Sequence, residues 1–220
     1  MKKTIQTILL FFITLLVYSQ SKYPLSISIK KGSNWDLKVD TIAKSLFDHS
    51  KVHKFNFPKI NQDSILKSKA ITYPESITMS DFCYILKGID KNIELCKRRL
   101  SDDRQWTDFE FCFTENNYLI FKEIGYESWN YIVYNPQTRL YSFTSGIPIF
   151  IDKDLFYSYG NRYIEGMFEL VDIKNNKSYR IDTFNWELKN LYKINTTFHL
   201  ELVSNDSYHE HKYLSISYEL

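Results

Sequence analysis

The chain has 220 residues, 44% hydrophobic and 25% charged, with a formal net charge of +2. A hydrophobic fraction of that size excludes a disordered chain. The near balance of 28 basic and 26 acidic side chains excludes a protein that holds nucleic acid through a basic patch.

Residues 1–19 read as a secretory signal peptide. Lys2 and Lys3 form a basic start, Ile8 to Val17 is an apolar run, and Val17-Tyr18-Ser19 offers a cleavage site that leaves Gln20 first. The apolar run spans about ten residues, too short for a bilayer that needs ~20. No cysteine follows the cleavage site to carry a lipid. The expectation is an exported bacterial protein, periplasmic or extracellular, with no transmembrane anchor after cleavage. Lys2 and Lys3 supply the whole excess of charge. The mature chain therefore carries 26 basic and 26 acidic groups.

Residues 20–220 are expected to form one α+β domain, helix-rich over about 25–105 and built of antiparallel hairpins over about 107–220. Leu25-Ser-Ile-Ser-Ile29 alternates apolar and polar residues and reads as a strand. Beyond the Gly32-Ser33-Asn34 break, Trp35, Val39, Ile42 and Leu46 recur at helical spacing, which predicts a helix over 35–50. Val52 to Phe57 alternates as a short strand, and Asn61 to Lys69 suggests a short helix. Phe82, Ile85, Leu86, Ile89, Ile93, Cys96 and Leu100 make one continuous stripe, so the spacing predicts a helix over 81–100. A hairpin turning at Asp90-Lys-Asn92 is the alternative for that segment.

Three cysteines are present: Cys83, Cys96 and Cys112. On the 81–100 helix, Cys83 and Cys96 would sit roughly 140° apart around the axis, which argues against a bond between them. They are expected to be three small buried hydrophobes. No CxxC or metal-knuckle spacing occurs.

From residue 107 the period changes to two. Phe109–Phe113, Tyr118–Phe121, Tyr131–Tyr134 and Leu140–Phe143 form one set of strand-like runs. Ile147–Ile151, Leu155–Tyr159, Met167–Val171 and Ser178–Ile181 form a second set, offset by 37 or 38 residues. Asn116-Asn117 and Asn135-Pro-Gln-Thr138 read as turns. Thr197–Val203 and Tyr213–Tyr218 extend the pattern to a degraded third unit. This unit of about 40 residues, over 109–182, resembles a β-propeller blade in hydropathy and turn position, without WD, kelch or aspartate-box motifs. A propeller needs at least ~4 blades, and the residues after 105 allow three at most. The fold expected is therefore N-terminal helices packed on a C-terminal antiparallel β-meander, with a partial propeller-like repeat as the alternative.

Few residues point to chemistry. His209-Glu-His211 on a strand would place two imidazoles on one face, a candidate metal pair completed by Asp206 or His199. His49 and His53 have helical zinc-pair spacing but no HExxH pattern. Asp102-Asp103 and Glu123 with Glu127 are carboxylate pairs able in principle to serve a glycosidase. GxSxG, Walker and GxGxxG motifs are absent, and no cofactor is expected. Aromatic content is the outlier at 17%. Trp129, Tyr131, Tyr134 and Tyr141 cluster around one hairpin and, on an exposed sheet face, would anchor a protein or glycan. The functional expectation is a non-catalytic binding, inhibitor or interaction module. A metal- or carboxylate-dependent hydrolase and a structural component of a cell-surface assembly are the alternatives.

Overall fold

The computed structural model describes residues 26–31, 37–54, 62–80, 83–97, 107–125, 128–162 and 165–219. The leader, Phe82, Leu100, Asp102, Asp103, Tyr126, Glu127 and Tyr163 lie outside them. Alternating apolar residues and short Asn-rich turns give a molecule of four antiparallel sheets. The first sheet is β3 (Ile77–Met79), β4 (Cys83–Leu86) and β5 (Ile93–Cys96). The second is β6 (Thr107–Glu115), β7 (Tyr118–Gly125), β8 (Ser128–Tyr134) and β9 (Tyr141–Thr144). The third is β10 (Ile149–Phe150), β11 (Leu155–Arg162), β12 (Glu165–Asp172) and β13 (Lys177–Phe184), with β1 (Ser26–Lys31) added beside β13. The fourth is β14 (Trp186–Ile194), β15 (Thr197–Ser204) and β16 (His211–Tyr218), with β2 (Leu37–Ile42) added beside β16. The one α-helix among the described residues is α1 (Gln62–Thr72).

This corrects the expected α+β fold of helices on a single meander. Residues 37–42 are strand, not helix, and only two short 3-10 turns follow, at Lys44–Leu46 and His49–Lys51. Tertiary pairing overrides the helical spacing there, because β2 pairs residue for residue with β16, from Ile42 opposite Tyr213 to Leu37 opposite Tyr218. The helix expected over 81–100 is instead the β4–β5 hairpin, the arrangement that turns at Asp90-Lys-Asn92. Ile89, the middle of the supposed apolar stripe, lies 64% exposed in that turn. Leu86, Ile93 and Leu95 reach the core by strand alternation instead. Gly88 permits the turn: a Cβ there would lie 2.2 Å from the Lys91 carbonyl oxygen and 2.4 Å from the Tyr141 ring.

The hairpin also reverses the cysteine reading. Cys83 and Cys96 are directly opposed in the β4–β5 register, with Cα atoms 4.1 Å apart, and they form a disulfide. Cys112 is buried in the second sheet, where desolvation, helped by nearby Glu110, pushes its thiol pKa up to about 12.

The repeat read from hydropathy is present in the sheets. β7 and β11 start at residues 118 and 155, and β8 and β12 at residues 128 and 165, so both pairs of strands are offset by 37. The third unit has three strands of its own, and β2 supplies the fourth position. At the Asn116-Asn117 turn both residues have positive φ, 50° and 67°, the conformation of a tight two-residue hairpin.

Consecutive sheets pack face to face. Leu66 and Ala70 of α1 join Ile77, Leu86 and Leu95 of the first sheet in a core with Phe111, Phe121, Ile132 and Tyr134 of the second. The opposite face of the second sheet packs Tyr118, Ile120, Tyr131 and Val133 against Phe156, Val171 and Ile173 of the third. The third sheet's other face packs Tyr157, Phe168, Leu170 and Ile181 against Trp186, Phe198, Leu200 and Ile216 of the fourth. Polar ties cross these layers. The Tyr134 hydroxyl donates to the Ser76 carbonyl at 2.9 Å, with the Lys87 carbonyl at 3.0 Å. Tyr118 donates to Asp154 at 2.8 Å. Buried Glu169 of β12 accepts from Thr144 of β9 (2.5 Å), the Ser145 amide (2.7 Å) and Ser158 of β11 (3.0 Å).

The disulfide closes a loop with a sequence separation of 13 residues. Loop-closure entropy for such a crosslink is worth ~3 kcal/mol. The double variant Cys83→Ser/Cys96→Ser should therefore unfold in urea with ~3 kcal/mol less stability, and the parent should lose a similar amount under reducing conditions. An unchanged urea midpoint for the double variant would contradict this.

Candidate functional site

Among the described residues, the fourth sheet ends the stack and has one face that no other sheet covers. β15 and β16 alternate along their length. Phe198, Leu200 and Leu202 of β15 and Leu214, Ile216 and Tyr218 of β16 point into the core. The intervening residues, Thr197, His199, Glu201, His211, Tyr213, Ser215 and Ser217, therefore face outward. A register shift in β14 between Leu188 and Asn190 re-aims its second half, so that Leu191 stays in the core while Asn190 and Tyr192 join the outer face opposite Glu201 and His199. Asp40 of β2 lies opposite Ser215, and Ile42 opposite Tyr213.

Glu201 is the centre of this face and is only 3% exposed. Asn190 donates to it at 2.5 Å and the Tyr213 hydroxyl at 3.3 Å. The Nδ1 of half-exposed His211 lies 2.9 Å from Oε1, and the Nδ1 of His49 lies 3.7 Å from Oε2. Burial works against the charged carboxylate, but the hydrogen bonds from Asn190 and His211 and the nearby His49 and His211 outweigh it, leaving the carboxyl below its usual range.

Residues 43–54 form a strap across part of the face. Phe47 is buried against the rings of Tyr192, Tyr213 and His49, at 5.0, 5.3 and 4.9 Å. The Tyr192 hydroxyl accepts from the Asp48 amide at 3.0 Å and donates to the Leu46 carbonyl at 3.1 Å. The His53 amide donates to the Leu191 carbonyl at 3.3 Å. His199 stacks flat on Tyr192, with centroids 4.7 Å apart and planes 11° from parallel. Its Nδ1 is buried with no hydrogen-bond partner among the described residues. Burial and the Lys51 charge both lower the His199 pKa.

The sequence-predicted residues are distributed differently. His211 joins Glu201. His209 lies in the preceding turn at φ 47°, outside the strand, so the two-residue spacing that would pair the rings does not apply. Its amide is held by the Asp206 carboxylate at 3.2 Å. No group of three or more His, Cys, Asp or Glu suited to a metal ion occurs among the described residues. His49 opens a 3-10 turn, His49–Lys51, and His53 lies beyond its end, so the two do not share an α-helix face.

Of the aromatic cluster, Trp129 is 45% exposed, Tyr131 and Tyr134 are buried, and Tyr141 is half-buried on the first core. Burial does not alternate over 131–134, because the second sheet is covered on both faces. Desolvation pushes the pKa of Tyr131 and Tyr134 up to about 12. Glu123 lines a cleft of about 170 Å³ with Glu94 and Asp108 beside the disulfide. That volume is below the ~300 Å³ at which small-molecule pockets begin.

Sequence reasoning passed over Glu201, Asn190, Tyr192 and Tyr213. The detectable signal was Phe-His-Leu-Glu-Leu at 198–202, where a carboxylate and an imidazole occupy the outward positions of a strand with an apolar inner face. Comparison with family models, curated proteins and solved structures finds no match to this chain.

Glu201 should shape the acid stability of the fold. Its folded pKa lies below the ordinary 4.5, so its contribution is complete above about pH 4.5 and is lost as pH falls through the lowered folded value. Glu201→Gln should cost ~1–3 kcal/mol at pH 7. Calorimetric Tm should fall less steeply below pH 4.5 in the variant than in the parent. Parallel acid limbs would show that Glu201 does not contribute.

Proposed function

We propose that the chain is an exported, non-catalytic binding module that presents the outer face of the fourth sheet to a protein or glycan partner. One observation carries this reading. The sheet's inner face is committed to the stack, while its outer face holds polar and aromatic groups in a fixed hydrogen-bonded frame around Glu201. Half-buried His199, the Thr197–Ser217 hydroxyl pair at 3.0 Å, Ser215 and exposed Asp40 give the part of the face beside the strap adaptable hydrogen bonding. Preorganised side chains lose little entropy on binding. Export is supported by the leader-like residues 1–19 and by the disulfide, which persists in oxidising compartments.

One observation favours hydrolysis instead. Buried Glu201 holds Nδ1 of half-exposed His211, a carboxylate–imidazole dyad of the kind that activates a nucleophile. On that reading, activated-ester turnover would fall ~100-fold or more in His211→Gln. On the binding reading, neither protein turns over.

The binding test places bulk and charge on the face without touching its frame. Asp40→Arg/Ser215→Arg should reduce capture of the parent's partner from native periplasmic extract at least tenfold, since a disrupted contact centre costs ~2 kcal/mol or more. Stability should stay within ~0.5 kcal/mol, as for surface substitutions. Capture at the parent's level by a folded double variant would refute the assignment of this face.

A further inference from the structure

We propose that the strap over residues 43–54 is an acid-tightened latch, in which protonated His49 pairs with Glu201 and holds the strap down on the outer face of the fourth sheet. The geometry supplies both halves. Glu201 is fixed on β15 and nearly buried, and His49 sits on the strap with its side chain half exposed and its Nδ1 3.7 Å from Oε2. At 3.7 Å a neutral imidazole makes no hydrogen bond to that oxygen. The imidazolium at the same place makes an ion pair with a carboxylate that water barely reaches. An imidazole changes charge across mildly acidic pH. The strap's hold on the sheet therefore strengthens as pH falls from about 8 to about 5.5.

The other charged and titratable groups facing this pair divide by element. On the strap, Lys51 lies 3.5 Å from Asp48 and compensates it. On β14, the Tyr192 hydroxyl is engaged by the strap backbone through the Asp48 amide and the Leu46 carbonyl. On β15, His199 opposes the latch, because its positive form would repel Lys51. Burial and Lys51 itself lower its pKa, which disfavours that positive form. On β16, Tyr213 donates to Glu201, and His211 engages Oε1 while His49 faces Oε2. On β2, Asp40 sits one row away, opposite Ser215, and is paired with Lys38 at 3.0 Å. These groups leave His49 as the strap's own pH-dependent contact with the carboxylate. Phe47, the Asp48 amide and the His53 amide anchor the strap at every pH.

The latch operates whether or not the face holds a partner, so its test uses the chain alone. Amide hydrogen exchange is read residue by residue at Asp48 and His53, whose N–H groups bond to Tyr192 and Leu191, and is corrected for intrinsic exchange at each pH. In the parent, protection of these amides should rise about three- to fivefold between pH 8 and pH 5.5, the scale of one partly exposed ion pair. In His49→Gln the profile should be flat, with the Leu191 and Phe198 strand amides unchanged as an internal check on the fold. A flat or falling profile in the parent overturns the latch, and so does a rise that survives in His49→Gln.

Discussion

Two of the four sheets are packed on both faces. The second sheet is packed by the first sheet and α1 on one side and by the third sheet on the other, and the third sheet lies between the second and fourth. A sheet buried on both faces cannot alternate apolar with polar along its strands. Tyr131-Ile-Val-Tyr134 and Met167-Phe-Glu-Leu-Val171 are accordingly near-continuous in burial. The aromatic richness of the chain follows from this demand, because large rings fill the spaces between sheets packed about 10 Å apart. Where a carboxylate falls inside, as Glu169 does, three donors from two strands and a turn meet it. Function is pushed by the same constraint to the ends of the stack and to the sheet edges.

The N-terminal strands close what the repeat leaves open. β1 covers the exposed edge of β13, and β2 does the same for β16. Each converts a row of unpaired backbone groups into a ladder and becomes the outer strand of its sheet in turn. The segment after β2 then folds back over the outer face of the fourth sheet. One stretch of chain thus finishes two sheets and dresses the surface on which Glu201, His199 and His211 converge.

The C-terminal half of the molecule was legible because its code is local. Period-two runs broken by Asn, Asp and Pro specified the second and third sheets, and the 37-residue offset between them was visible in hydropathy alone. The N-terminal third was misread because its pairing partners are far away. Nothing near Leu37–Ile42 indicates that residues 213–218 will accept it as a strand. Ile85, Ile89 and Ile93 fit a helix until Cys83 is placed opposite Cys96. The outer-face cluster was half legible. His211 stood out as a histidine, whereas Glu201 looked like one more charged residue, and the register shift that turns Asn190 and Tyr192 toward it carries no plain sequence mark. Trp129 is 45% exposed, while its neighbours Tyr131 and Tyr134 belong to two different cores.

The pairing of β2 with β16 joins residues about 175 positions apart in sequence. Contacts of that range form slowly, because the entropy of closing so long a loop must be met before the ladder returns any stability. During synthesis, the second and third sheets become available as hairpins well before residues 211–218 exist. β2 has no edge to join until β16 has formed. The first strands to be made are thus among the last to be placed, and through that interval the strap has no sheet to rest on. On this ordering, assembly of the outer face closes folding, and the arrival of β16 times it.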